Sequence, residues 1–292
     1  MKKTCAAALG FFDGVHKAHL RVLQSAARYA AAHDMESVAV TFDRPPKAFV
    51  TGAAAPLICT DADRARVMRE EAGIDRVVVL PFDAATRDLD ARAFVEDVVL
   101  GELGAGYCAA GYDYRFGARG AGDAALLQTL CAARGVPCEI VGCLADGAEK
   151  ISSTRIRELI ASGDVAGAAA LLGRPFAFSG EVIHGKALGR TLGFPTMNVP
   201  VPRELVLPPA GVYVCRALVA GAWRRAVCNI AHGDRPLCEV HAFNYGGDAY
   251  GLTIRVEFLD FVRGMRRFPS LEALTRQVEC DKKVALDWFS SR

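Results

Sequence analysis

Leu9-Gly-Phe-Phe-Asp-Gly-Val-His-Lys-Ala-His19 is the stretch that decides how the first half of this chain folds. The apolar run 6–9 that leads into it has the length and character of a short buried strand. Gly10 and Gly14 supply a turn, and an alanine-rich pattern with helical spacing follows over residues 19–33. The same alternation then repeats. Residues 37–42 read as a strand, 61–72 as a helix, 77–80 as a strand, 92–100 as a helix and 106–111 as a weaker strand. Strands alternating with helices imply parallel strands joined by crossovers, an open α/β sheet with helices on both faces. Such sheets bind ligands beyond the carboxyl ends of their strands, which is where the quoted turn lies.

The second half follows another pattern. After a helical stretch over 154–172, short β-branched and aromatic runs take over at 176–184, 211–218, 225–230, 239–243 and 252–258. Gly185, Pro208-Pro209, Gly221, Gly233 and Gly246-Gly247 punctuate them. Close spacing of this kind predicts an antiparallel β-barrel, with a final amphipathic helix over 271–288 on its outside. The division between the two domains is expected at 172/173, giving domains 1–172 and 173–292.

The 292 residues suffice for two cores, and 52% hydrophobic with 23% charged residues is the balance of a soluble globular protein. No apolar stretch is long enough to cross a bilayer. The opening Met1-Lys-Lys-Thr4 has the flavour of a short signal peptide, but its apolar run stops at Gly10 and is read as the first strand. Ten scattered cysteines without a CxxC pair argue against a zinc site or a disulfide framework and for a reducing cytoplasm. A net charge of +2 demands no basic surface, so nucleic acid is not the expected partner, and anionic ligands must be bound locally.

Two constellations carry chemistry. His16 and His19, three apart at a helix start, lie on one face beside free backbone N–H groups, a setting that attracts phosphate. Ordinary capping would place them there too. Far downstream, Ile151-Ser-Ser-Thr-Arg-Ile-Arg157 brings hydroxyls and two arginines to another loop-to-helix junction, suited either to capping or to holding a triphosphate. In the second half, Gly180-Glu-Val-Ile-His-Gly-Lys-Ala-Leu-Gly-Arg-Thr-Leu-Gly-Phe-Pro-Thr-Met-Asn198 places Gly185, Gly189 and Gly193 in a loop with Lys186 and Arg190. That combination suits nucleotide phosphates, although the strand–loop–helix setting of a Walker loop is absent. Thr196 and Asn198 add oxygen donors of the kind Mg²⁺ prefers. Cys238-Glu-Val-His241 reads as a strand with Glu239 and His241 on one face.

The stretch from Gly10 to His19 resembles the His-x-Gly-His signature of nucleotidyltransferases, and in particular the FAD synthetase module of bacterial bifunctional riboflavin kinase/FAD synthetases. Thr41-Phe-Asp-Arg-Pro-Pro46, Ala110-Gly-Tyr-Asp-Tyr-Arg-Phe-Gly117 with Gly122-Asp123, and 151–157 follow in that family's order, so the resemblance covers nearly the whole chain. It implies a Rossmann-like nucleotidyltransferase domain that transfers AMP from ATP to FMN. His16 and His19 would contact ATP phosphates, together with Gly10, Asp13 and Gly14 of the same turn. Ser152, Ser153, Thr154 and Arg157 would close around the leaving pyrophosphate, and Asp113 and Arg115 would line the nucleotide pocket. Two departures stand out: Ala18 replaces the glycine between the histidines, and Arg44-Pro45-Pro46 replaces Pro-His-Pro, so one expected histidine is missing.

The stretch 180–198 resembles the ATP- and Mg²⁺-binding motif of riboflavin kinases, with Met197 in place of alanine. By that resemblance Thr196 and Asn198 bind Mg²⁺ and ATP phosphate, the loop over 185–193 folds over the nucleotide, and Glu239 is the general base toward riboflavin. Arg263 matches a loop that closes over substrates. Asn229-Ile-Ala-His-Gly-Asp-Arg-Pro236 is a shortened version of the family's segment before the glutamate strand. The activities implied are phosphorylation of riboflavin to FMN and adenylylation of FMN to FAD, with ATP as co-substrate and small molecules as the partners, and no nucleic acid, membrane or obligate protein partner. Two other readings stay open on sequence grounds: a riboflavin kinase with a catalytically weak first domain, and a flavin-binding regulator without turnover.

Overall fold

In the computed structural model, which describes residues 4–46, 55–185 and 193–292, the run after Thr4 forms strand β1 (Cys5–Leu9), buried throughout. Its small side chains let helices approach both faces. Ala6 and Ala8 point to one core, with Val22, Leu23 and Ala26 of α1 (Lys17–Ala32) and Val67 and Met68 of α2 (Asp61–Ala72). Cys5, Ala7 and Leu9 point to the other, with Phe94, Val95, Leu127 and Leu130. Burying a side chain the size of these leucines and phenylalanines contributes about 2 kcal/mol each.

β2 (Glu36–Phe42), β3 (Arg76–Leu80), β4 (Ala105–Gly111) and β5 (Cys138–Val141) complete a five-stranded parallel sheet in the order β3-β2-β1-β4-β5. The order reverses between β1 and β4, which is the position where sheets of this type open a ligand crevice. The expected α/β class stands. One element differs in kind: the helix expected over 92–100 is a short α-turn that runs into a π-helix, Phe94–Glu102, closed by Leu103 N–H donating to Val98 C=O. α3 (Ala84–Asp88) precedes it and α4 (Ala124–Ala133) joins β4 to β5. A two-residue hairpin, β6 (Ala145–Asp146) and β7 (Glu149–Lys150), ends this part.

The helical stretch expected over 154–172 is two helices, α5 (Ser153–Ser162) and α6 (Val165–Leu172). Gly163, at φ 91°, breaks them, and Asp164 caps the second by accepting from the Gly167 N–H at 2.7 Å. Six antiparallel strands follow: β8 (Phe176–Glu181), β9 (Met197–Pro200), β10 (Gly211–Val219), β11 (Ala222–Ala231), β12 (Leu237–Ala242) and β13 (Thr253–Gly264). Their order is β8-β13-β10-β11-β12-β9. Ile183, just beyond β8, donates to Asn198 C=O of β9 at 2.8 Å, so the sheet nearly closes into the expected barrel.

The barrel's inner face is packed with Tyr213, Cys215, Cys228, Cys238, Phe176, Phe178 and Phe258. α7 (Leu271–Ser290) packs on the opposite face through Ala285, Trp288 and Phe289 against Val212, Val214, Val227 and Phe243. The molecule divides into two units: Met1–Ala55 with Asp61–Ser153, and Pro56–Thr60 with Thr154–Arg292.

Candidate active site

The turn after β1 carries an unusual backbone. Phe12 (φ 56°) and Val15 (φ 42°) both sit in the left-handed region, with Gly14 (φ 76°) between them. Each such non-glycine residue costs about 1–3 kcal/mol and persists only where its surroundings over-determine it. Arg64 of α2 supplies much of that determination. It is 2% exposed, and its guanidinium donates to Phe11 C=O at 3.2 Å and Phe42 C=O at 2.9 Å, pairs with Asp61 at 2.9 Å, and lies over the Phe11 ring. Thr41 Oγ1 donates to the same Phe11 carbonyl.

His16 then caps α1. Its Nδ1 accepts from the His19 N–H at 3.3 Å, so the ring proton of neutral His16 is on Nε2. The two imidazoles stack at 3.5 Å between centroids, and Phe12 meets His19 edge-on. His16 and Asp13 are buried, at 4% and 3% exposure. Ala18 sits in the first turn of α1, where a methyl group costs the backbone nothing.

Of the distant hydroxyls, Ser153 reaches this turn: its Oγ donates to Asp13 C=O at 3.1 Å. Ser152 is half-buried, Thr154 is exposed, and half-buried Arg157 follows in α5. At the carboxyl end of β4, Asp113 and Arg115 are exposed, and Arg115 lies 3.8 Å from Asp123, the residue that caps α4. Gly10, at the end of β1, donates to Val40 C=O. Arg44, which precedes Pro45 where the family has its histidine, is exposed and paired with Asp43 at 3.2 Å. Asp43 also accepts from the Phe82 N–H. Partial desolvation works to raise Asp43, but these donors outweigh it and hold the carboxyl below its usual range.

On the barrel, register builds the second site. Asn198 of β9 pairs with Glu239 of β12, and Glu239 pairs with Asn229 of β11. Directly opposed residues share a face, so the three side chains form one row. Asn229 Nδ2 donates to Glu239 Oε2 at 3.4 Å. The row continues through Val212 of β10 to Arg263 of β13. Arg263 is held by α7, with Nη2 2.6 Å and Nε 2.9 Å from the two oxygens of Asp281, a carboxylate that Gln277 also donates to.

Asn198 is 5% exposed, and a β-carbon on Gly185 would overlap its side-chain amide, so glycine is required there. Gly193 (φ 81°) and half-exposed Thr196 are described, whereas Lys186, Gly189 and Arg190 lie outside the described residues. His241 shares the face of Glu239, and its Nδ1 lies 2.9 Å from Pro195 C=O. Burial lowers the pKa of His241, as does the neighbouring Lys282 cation, and the Pro195 bond offsets this only in part.

Arg64, Asp281 and the His241–Pro195 contact carry no signal in local motifs, and Asn229 opens a recognised segment without its side-chain role being marked there. Counting the hairpin register back from Glu239 would have found Asn229.

Comparison with known proteins decides the family. A family model described as FAD synthetase matches residues 1–155, and one described as riboflavin kinase matches 172–289. A bifunctional riboflavin kinase/FMN adenylyltransferase of Haemophilus influenzae is 35% identical over 98% of this chain and 95% of its own length. The chain belongs to the bifunctional riboflavin kinase/FMN adenylyltransferase family. The Bacillus subtilis member is 33% identical over 97% of this chain and 92% of its own length. A solved Streptococcus pneumoniae structure described as a macrolide-efflux protein superposes with TM-score 0.87 at 31% identity, covering 99% of this chain and 95% of that one. Among the described residues, no helix is long and apolar enough to cross a membrane.

Proposed function

We propose that the second unit phosphorylates riboflavin to FMN with Glu239 as general base, and that the first adenylylates FMN to FAD beside His16 and His19. The row of Asn198, Glu239 and Asn229 across β9, β12 and β11 carries the reading. A carboxylate that accepts from Asn229 and lies opposite Asn198 in the sheet is placed to orient a ribityl hydroxyl and accept its proton as that oxygen attacks the γ-phosphorus of ATP. Thr196 and Asn198 offer a hydroxyl and an amide oxygen, a donor set that fits Mg²⁺, and the bare Cα of Gly185 leaves the Asn198 amide uncrowded. Bound there with ATP, the ion would offset phosphate charge. Arg263, held by Asp281, supports the flavin side of the row.

In the first unit, the α1 N-terminus and the stacked histidines face the site of nucleotidyl transfer, where donors to developing phosphate charge contribute most. Ser152 and Ser153 would receive the pyrophosphate, and Asp113 and Arg115 the nucleotide. The cytoplasm is the compartment that suits ten unbridged thiols.

The test is incubation with riboflavin, ATP and Mg²⁺, with flavins separated by chromatography. FMN followed by FAD is expected. FMN alone would refute the role given to the first unit, and absence of both would refute the whole reading.

A further inference from the structure

The β12–β9 ladder ends where Val240 opposes Met197. Beyond it the chain enters Phe194-Pro195-Thr196, and proline has no N–H with which to continue a ladder. The side chain of His241 takes over. Its Nδ1 is 2.9 Å from the Pro195 carbonyl, and because a carbonyl only accepts, Nδ1 carries the proton. The ring meets Phe194 edge-on at 5.6 Å and Phe243 at 5.7 Å. Lys282 of α7 stands 5.9 Å from both phenylalanine rings. The residue before Thr196 is therefore clamped to the strand that carries Glu239, two positions away on the same face.

We propose that His241 is a positioning residue for phosphoryl transfer, holding Thr196 in register with Glu239 through the Pro195 carbonyl. The proposal rests on the roles given above to Thr196 and Glu239. The imidazole touches neither substrate nor reacting atom. It supplies a hydrogen bond that ties the start of the Thr196–Asn198 segment to β12 after the backbone ladder has run out. Its burial and the nearby Lys282 cation disfavour the charged ring.

The experiment compares His241→Asn, His241→Gln and His241→Leu in the full-length enzyme, measuring kcat and KM for both substrates. Asparagine places its amide N–H close to where Nδ1 stood, whereas glutamine mimics Nε2 and leucine donates nothing. The expected result is near wild-type behaviour for His241→Asn. KM for Mg-ATP should rise about tenfold in the other two, the scale of one hydrogen bond, with KM for riboflavin unchanged. The circular-dichroism melt of each full-length variant reports whether the unit that carries His241 is folded, since adenylylation belongs to the other unit. Should leucine prevent folding, the asparagine–glutamine pair still decides. Equal KM values for Mg-ATP in all the folded variants, or a parallel rise in KM for riboflavin, would overturn the proposal. Thr196→Ala separates the two levels: if it leaves KM for Mg-ATP unchanged, the underlying reading has failed; if it raises KM and His241→Gln does not, this inference alone has failed.

Discussion

Gly185 shows how narrow the tolerance is at the residue scale. Its Cα faces the buried amide of Asn198, and a single added methyl group would displace that amide. Gly185→Ala should therefore lower riboflavin kinase kcat/KM by about tenfold or more, equivalent to roughly 1.4 kcal/mol, while FMN adenylylation continues at the wild-type rate. Equal loss of both activities would point to misfolding. This requirement was partly legible: the Gly-rich run and Pro-Thr-x-Asn mark the segment, and Glu239 is recognisable within its motif. The partners were not. Arg64 sits in Asp-Ala-Asp-Arg-Ala-Arg, which reads as a solvated helix face, yet it bonds carbonyls 53 and 22 positions away in sequence. No local pattern encodes such a contact. Asp123 likewise reads as part of a nucleotide segment, and its side chain caps α4.

Elements were legible where periodicity was strong. Residues 61–72 form a helix as expected, and β1, β2 and β3 gain only one residue each on the expected ranges. β9 and β5 were missed for opposite reasons: β9 lies inside a motif that reads as turn and ligand chemistry, and β5 is a four-residue edge strand whose burial is only partial. α7 docks through a buried ion pair, Arg263 at 12% and Asp281 at 6% side-chain exposure. Removing one partner leaves a charge uncompensated, so Asp281→Asn should destabilise by about 3–5 kcal/mol, whereas Arg263→Met with Asp281→Leu should recover much of the loss. Chemical denaturation of the three proteins measures it. On the other unit, exposed Glu139 accepts from Ser25 at 2.6 Å and Tyr107 at 2.8 Å, which lowers its pKa, while burial foremost pushes Tyr107 up to about 12. A carboxylate with a depressed folded pKa stabilises above its unfolded value and loses that contribution as pH falls through the folded one. The difference in Tm between wild type and Glu139→Gln should shrink as pH is lowered from 7 toward about 4.

For the whole molecule, two units with separate cores imply that each activity can be removed alone. Glu239→Gln should stop FMN formation and spare FAD formation from added FMN. His16→Asn should do the reverse at small cost to folding, since asparagine is among the best helix caps. Mixed, the two variants should again convert riboflavin to FAD if FMN leaves one site and rebinds at the other. A mixture that accumulates FMN alone would contradict this.

The path of the chain also constrains how the gene can be divided. Pro56–Thr60 belongs to the second unit although both flanking segments belong to the first. Leu57 donates to Glu204 C=O at 2.6 Å and accepts from Val206 N–H at 2.8 Å, and Ile58 and Cys59 are buried. An open reading frame begun at residue 154 or 173 would encode a kinase stripped of that ribbon, with Leu205 and Val206 uncovered. Splitting this gene into two stand-alone products would demand that the five residues be transplanted as well.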